Sequence, residues 1–230
     1  RMFIGHYAPA FIAATSPKAQ RLGALFVAAQ LIDIAFFGFV LIGIEHMRAV
    51  PGFTAMNAMD LYDMPYTHSL IGALGFAAAW AVGTRLLGGS WPAAAIGAAV
   101  VASHWLLDLL VHAPDLTLLG AGPRYGLGLW NHPAIEMPLE LGLTGGALLF
   151  YAARTEPRGA GGRVSLALLA ATLAGLQAFN WLEPQPATPI NPVPASQPLL
   201  ALVAYALLAA LAFWVARARA LKGGPRVRLV

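Results

Sequence analysis

The chain contains no cysteine in 230 residues, which excludes disulfides and every thiolate metal site. A metal ion bound by it must be held by histidine, carboxylate, backbone oxygen or water. Charge is also scarce: 10% of the residues are Asp, Glu, Lys or Arg, against 59% hydrophobic, and the mean hydropathy is +0.68. Soluble domains carry about 25% charged residues, so this composition argues for a protein embedded in a membrane. The sequence pI of 9.8 does not point to nucleic acid. The basic residues fall in short loops and the tail, where membrane topology accounts for them. No soluble domain, internal repeat or cleavable signal peptide is evident.

Six segments are long and apolar enough to predict bilayer crossings, at 22–44, 66–87, 92–111, 136–153, 164–182 and 198–216. The predicted fold is therefore all-α, a polytopic helical bundle of about six transmembrane helices. Ahead of them, residues 3–14 are apolar but too short to cross. They end at Thr15-Ser16-Pro17, a helix-stop signature, and read as a re-entrant or interfacial helix. Residues 1–230 form one integral membrane domain, with a metal-site core in 1–153 and two further helices plus a basic tail in 154–230. The linker 183–197 carries five prolines and reads as a stiff extended loop. In this topology Lys18, Arg21, Arg85, Arg154, Arg158, Arg163, Arg217, Arg219, Lys222, Arg226 and Arg228 share one side, the last two lying outside the residues the structure describes, while Arg48 and Arg124 lie opposite. The positive-inside rule then predicts a cytoplasmic C-terminus and loops 45–65, 112–135 and 183–197 outside.

Within this apolar chain, Ser103-His104-Trp105-Leu106-Leu107-Asp108-Leu109-Leu110-Val111-His112 spaces three metal-capable side chains by four residues. That interval keeps them on one helical face, about 6 Å apart along the axis. Asp33, twelve residues beyond Arg21, lies about 18 Å up the first span, and His104 lies about 21 Å up the third. His68, near the start of the second span, and His6, lifted by a re-entrant helix, reach the same layer. His132-Pro133-Ala134-Ile135-Glu136 repeats the four-residue interval, and Glu140 extends that face by a turn. The candidate ligands are therefore His6, Asp33, His68, His104, Asp108, His112, His132 and Glu136. Glu140 or Asp115 are alternatives to Glu136 and His112. An imidazole and carboxylate set without thiolate suits zinc, with manganese or iron as alternatives, and eight candidates predict two or three ions. A single histidine in a transmembrane helix is often a hydrogen-bonding packer, but several ionisable groups at one depth are hard to tolerate unless they are paired. Trp130 reads as an interfacial anchor, and Arg124, in a glycine-rich loop, as a phosphate contact from outside.

The order of Gly5-His6, Asp33, Tyr66-Thr67-His68-Ser69-Leu70 and Ser103-His104 followed by Asp108 resembles the membrane-bound metal-dependent hydrolases that include LexA-regulated bacterial inner-membrane proteins. The resemblance covers about residues 2–151 and implies metal-dependent hydrolysis in the inner membrane. The ligand order is more distantly similar to that of the zinc-dependent phospholipase C and P1 nuclease group. That likeness implies one zinc on Asp33, His68, His104 and Asp108, a second on His112, His132 and Glu136, and a third on Asp108 with His6.

Together these readings predict a zinc-dependent hydrolase of phosphoester bonds in a membrane lipid or lipid-linked substrate. Its site opens toward the outer leaflet or periplasm, and Asp33 serves as proton acceptor or bridging ligand. The rival class is a transporter that moves protons or metal ions through the same His and Asp layer. A scaffold with a purely structural metal is a third.

Overall fold

The computed structural model describes residues 3–223, and 62% of these are helical. A 3-10 turn, Ile4–Tyr7, runs into α1, Ala8–Ala13, which stops before Thr15-Ser16-Pro17 as the sequence predicts. α2 (Leu22–Ala29) and α3 (Leu31–Leu41) are two halves of one apolar run, bent by 52° at Gln30. An antiparallel hairpin follows, β1 (His46–Ala49) with β2 (Met59–Asp63). α4 (Leu70–Leu86) is capped by Ser69, whose hydroxyl accepts from the Gly72 N–H at 3.1 Å. α5 (Trp91–Val111) is capped in the same way by Ser90. The short pair β3 (Leu116–Thr117) and β4 (Arg124–Tyr125) leads to α6 (Pro133–Arg154). β5 (Thr155–Pro157), α7 (Ala160–Leu182), α8 (Ser196–Ala218) and β6 (Arg219–Leu221) complete the order.

Three helices, α5, α7 and α8, are long and apolar enough to cross a membrane, or four spans if the bent α2–α3 pair counts as one. The expectation of about six is corrected, for two physical reasons. α4 has 17 residues, about 26 Å of helix, which falls short of a hydrocarbon core of about 30 Å. α6 has 22 residues, but Glu136, Glu140 and Pro138 lower its hydropathy below that of a span. In α7 and α8 only 22% of the most apolar stretch is buried within the protein, so their remaining apolar surface faces outward, as a helix against lipid does.

α5 lies between α4 and α2, and α8 packs on α2, α3 and α7. The N-terminal turn and α1 are wedged against α6, α2 and α5, where Tyr7 stacks on Phe26 with centroids 4.3 Å apart and Phe11 meets the same ring edge-on. At the opposite end, β5 and β6 pair antiparallel. There the buried Arg219 guanidinium donates to Thr155 Oγ1 and to the carbonyls of Ala152, Thr155 and Gly162, binding the end of α6 to the starts of α7 and β6.

Gly72 is required by close approach rather than by backbone freedom. A Cβ at Gly72 would fall 1.8 Å from the Tyr66 carbonyl oxygen, because the segment Tyr66-Thr67-His68 folds back over the first turn of α4. Substitution Gly72→Ala must displace backbone, and thermal unfolding in detergent should show a loss of about 1–3 kcal/mol.

Candidate metal centre

Asp108 sits on α5, which the sequence makes apolar on every other face near it, and its carboxylate is fully enclosed. Four imidazoles point their Nε2 atoms at it. Oδ2 lies 3.2 Å from His104 Nε2 and 3.7 Å from His68 Nε2. Oδ1 lies 3.0 Å from His6 Nε2 and 3.3 Å from His112 Nε2. Asp33 closes the first pair, with Oδ1 at 3.3 Å from His68 Nε2 and 3.5 Å from His104 Nε2. The helical spacing of 104, 108 and 112 sets three of these groups, α3 brings Asp33, the residue before the α4 cap brings His68, and the N-terminal turn brings His6. In each of the trios His6, His104, Asp108 and Asp33, His68, His104, ligand atoms lie within 4.8 Å of one another. His6 and His104 also stack, with ring centroids 4.0 Å apart.

The far sides of the rings decide what the near sides can do. His104 Nδ1 is 2.8 Å from the Ala29 carbonyl, which can only accept, so Nδ1 carries the proton. That carbonyl is at the end of α2, where the helix supplies no N–H for it, so the break at Gln30 creates the acceptor. His68 Nδ1 is 2.9 Å from Thr67 Oγ1, which itself donates to the buried Glu45 carboxylate at 2.6 Å. The hydroxyl therefore accepts from Nδ1–H. His112 Nδ1 donates to Asp115 at 2.9 Å. Three rings are thus oriented by an outer acceptor at Nδ1, each with its Nε2 toward the centre, as in metal-ligating imidazoles. Burial opposes a positive charge on His112, but the Asp115 and Asp108 carboxylates outweigh it and raise its pKa to about 10. Such a setting favours a cation. His104 Nε2 and Asp108 Oδ2 have no hydrogen-bond partner despite complete burial, so the donor set fits a bound divalent ion.

Six of the eight candidate ligands meet here: His6, Asp33, His68, His104, Asp108 and His112. His132 and Glu136 are not brought into the group. His132 is exposed at the start of α6, and Glu136 is buried on that helix with both oxygens lacking a hydrogen-bond partner. The interval from His132 to Glu136 matches that of His104 to Asp108, but His132 precedes the helix and its non-helical backbone turns it away. His6 and His112 share one oxygen of Asp108, so the groups the resemblance divides between a second and a third ion meet at one place. Neither alternative ligand replaces another: Asp115 stands behind His112, and Glu140 accepts from the N-terminal backbone.

Several contributors escape sequence reasoning. Glu45 lies 22 residues from Thr67, and only the hydroxyl beside His68 hints at a relay. Tyr205 donates to Asp33 Oδ2 at 2.8 Å from α8. Trp130 is no interfacial anchor: it is buried and packs on His112 with centroids 4.2 Å apart. Arg124 is exposed and donates to the Tyr62 carbonyl, bracing the hairpin. Beside the carboxylates opens a cleft with about 1050 Å³ of empty space, walled by Phe36, Phe37, Leu176, Phe179, Leu200 and Tyr205 and roofed by Met59 and Leu61 of β2. Comparison of the chain with protein-family models, curated proteins and solved structures finds no match.

Proposed function

We propose that this chain is a membrane-embedded zinc-dependent hydrolase of phosphoester bonds in a lipid or lipid-linked substrate. The observation that carries the reading is the convergence of four imidazole Nε2 atoms and two carboxylates on one buried point, with outer acceptors orienting three of the four rings. Asp33, His68 and His104 would hold one ion, and His6 with Asp108 a second, with His104 and His112 flanking it. Divalent zinc at such a site lowers the pKa of a bound water to about 7 and neutralises an anionic substrate oxygen. The hydrolytic reaction itself comes from the resemblance in residue order to the membrane-bound metal-dependent hydrolases.

The side chains around the centre divide the remaining tasks. Asp33, anchored through Oδ2 by Tyr205, presents Oδ1 to the cluster and is placed to accept a proton. The cleft is predominantly apolar beyond the carboxylates, which suits a hydrocarbon chain. No Lys or Arg lines it among the described residues, so an anionic group would have to be neutralised at the centre. The basic residues gather at the far end of the bundle, around β5, β6 and the start of α2. By the positive-inside rule the C-terminus is then cytoplasmic and the site faces the periplasmic leaflet of a bacterial inner membrane.

Elemental analysis of unchelated, detergent-purified protein should find two zinc ions per chain. Asp108→Ala and His104→Ala should each lose at least one, with hydrolysis of lipid phosphates abolished in both. Wild-type protein without stoichiometric metal would overturn the reading and favour proton-coupled transport through the same residues. Thr67→Val breaks the relay from Glu45 to His68. Chelator competition should then report zinc binding weakened by about 10–100-fold, and unchanged affinity would show that the relay does not tune the site.

A further inference from the structure

His6 is carried by a 3-10 turn and not by a long helix. The turn lies at the start of the described chain, and the first turn of a helix leaves its N–H groups without partners in the helix itself. Here two distant side chains take three of them. The N–H groups of Phe3 and Gly5 both donate to Glu140 Oε1, at 2.5 and 3.1 Å. Ile4 N–H donates to Gln177 Oε1 at 3.4 Å, and Gln177 Nε2 donates to Glu140 Oε2 at 2.6 Å. Gln30, at the bend between α2 and α3, donates to the Phe3 carbonyl at 3.2 Å and fixes the other side of the turn.

This arrangement is costly unless the turn must be held in one place. Glu140 is fully buried, and a leucine there would fill the same space on α6 without desolvating a carboxylate. Its oxygens are occupied by backbone and amide donors, so it is not itself a spare ligand. What the interaction fixes is the residue next to Gly5, whose Nε2 lies 3.0 Å from Asp108 Oδ1. The Asp33, His68 and His104 group, in contrast, is carried by α3, the segment before α4, and α5.

We propose that Glu140 of α6 and Gln177 of α7 are a positioning pair that seats His6 at Asp108, so that a cation held by His6 with Asp108 depends on them while the Asp33, His68, His104 position does not. The proposal rests on the metal-centre reading above. It also gives α7 a part in the site although that helix contributes no ligand.

The test is zinc stoichiometry and stepwise affinity of the full chain in detergent, stripped with chelator and reloaded. Wild type should take up two ions and Glu140→Ala one. Glu140→Gln, which keeps an oxygen acceptor for the Phe3 and Gly5 N–H groups, should recover two. His6→Ala should match Glu140→Ala, and the double variant should lose nothing more. Two tightly held ions in Glu140→Ala overturn the proposal, as does equal loss in Glu140→Gln and Glu140→Ala. If Glu140→Ala does not fold, Gln177→Ala carries the test: the weaker ion should bind at least tenfold more weakly with the tighter one unchanged, and unchanged binding of both overturns it. Wild-type protein that takes up no zinc overturns the metal-centre reading and this inference together, an outcome distinct from two ions in Glu140→Ala.

Discussion

A carboxylate removed from water inside an apolar helix is the constraint on which the other features of this structure depend. The desolvation of one ion costs several kcal/mol in a real protein, and the cost is met only by close charges and satisfied lone pairs. Among the described residues no Lys or Arg pairs with the buried Asp108, and its surroundings are four imidazoles. Each imidazole in turn constrains another part of the chain. The bend at Gln30 frees a carbonyl for His104, the fold-back at Gly72 brings Thr67 and Glu45 behind His68, and the loop after α5 returns Asp115 to His112. Irregular backbone at the site end of the bundle is therefore where the centre acquires its outer shell, whereas the opposite end is tied by Arg219 and a short strand pair.

The centre was legible in the sequence where it obeyed helical periodicity. His104, Asp108 and His112 fall on one face by spacing alone, and depth counted from the basic loops brings Asp33, His68 and His6 to the same layer. Periodicity also misled. His132 and Glu136 share the interval of His104 and Asp108, but an interval carries meaning only where both residues lie in one helix, and α6 begins after His132. The outer shell was hidden for a different reason. A backbone carbonyl has no identity in a sequence, and Glu45, Gln177 and Tyr205 act across separations that no local pattern encodes.

The membrane architecture was legible in kind and overcounted in number. Apolar composition predicts helices that cross a bilayer, and α5, α7 and α8 satisfy that in length and hydropathy. Two further runs look similar in a window average and differ once helix ends are drawn. α4 stops at 17 residues, and α6 spends part of its face on Glu136 and Glu140. The bend in the first run divides a segment that composition treats as continuous, and it does so where the cluster needs a free carbonyl.

The tie between the N-terminal turn and α6 and α7 also has a consequence for the order in which the molecule comes into being. During synthesis His6 leaves the ribosome long before its supports: Glu140 follows Phe3 by 137 residues and Gln177 follows Ile4 by 173. Asp33, His68, His104, Asp108 and His112 all emerge in that interval. The nascent chain therefore passes through a stage in which Asp108 has its other neighbours but its first-made partner is still unmoored, and the turn can lock only after most of α7 has been translated. Contacts between segments so far apart in a chain are slow to form because a long loop must close first. The seat of His6 at Asp108 is accordingly completed after the other contacts of that carboxylate, although His6 is made before any other member of the cluster.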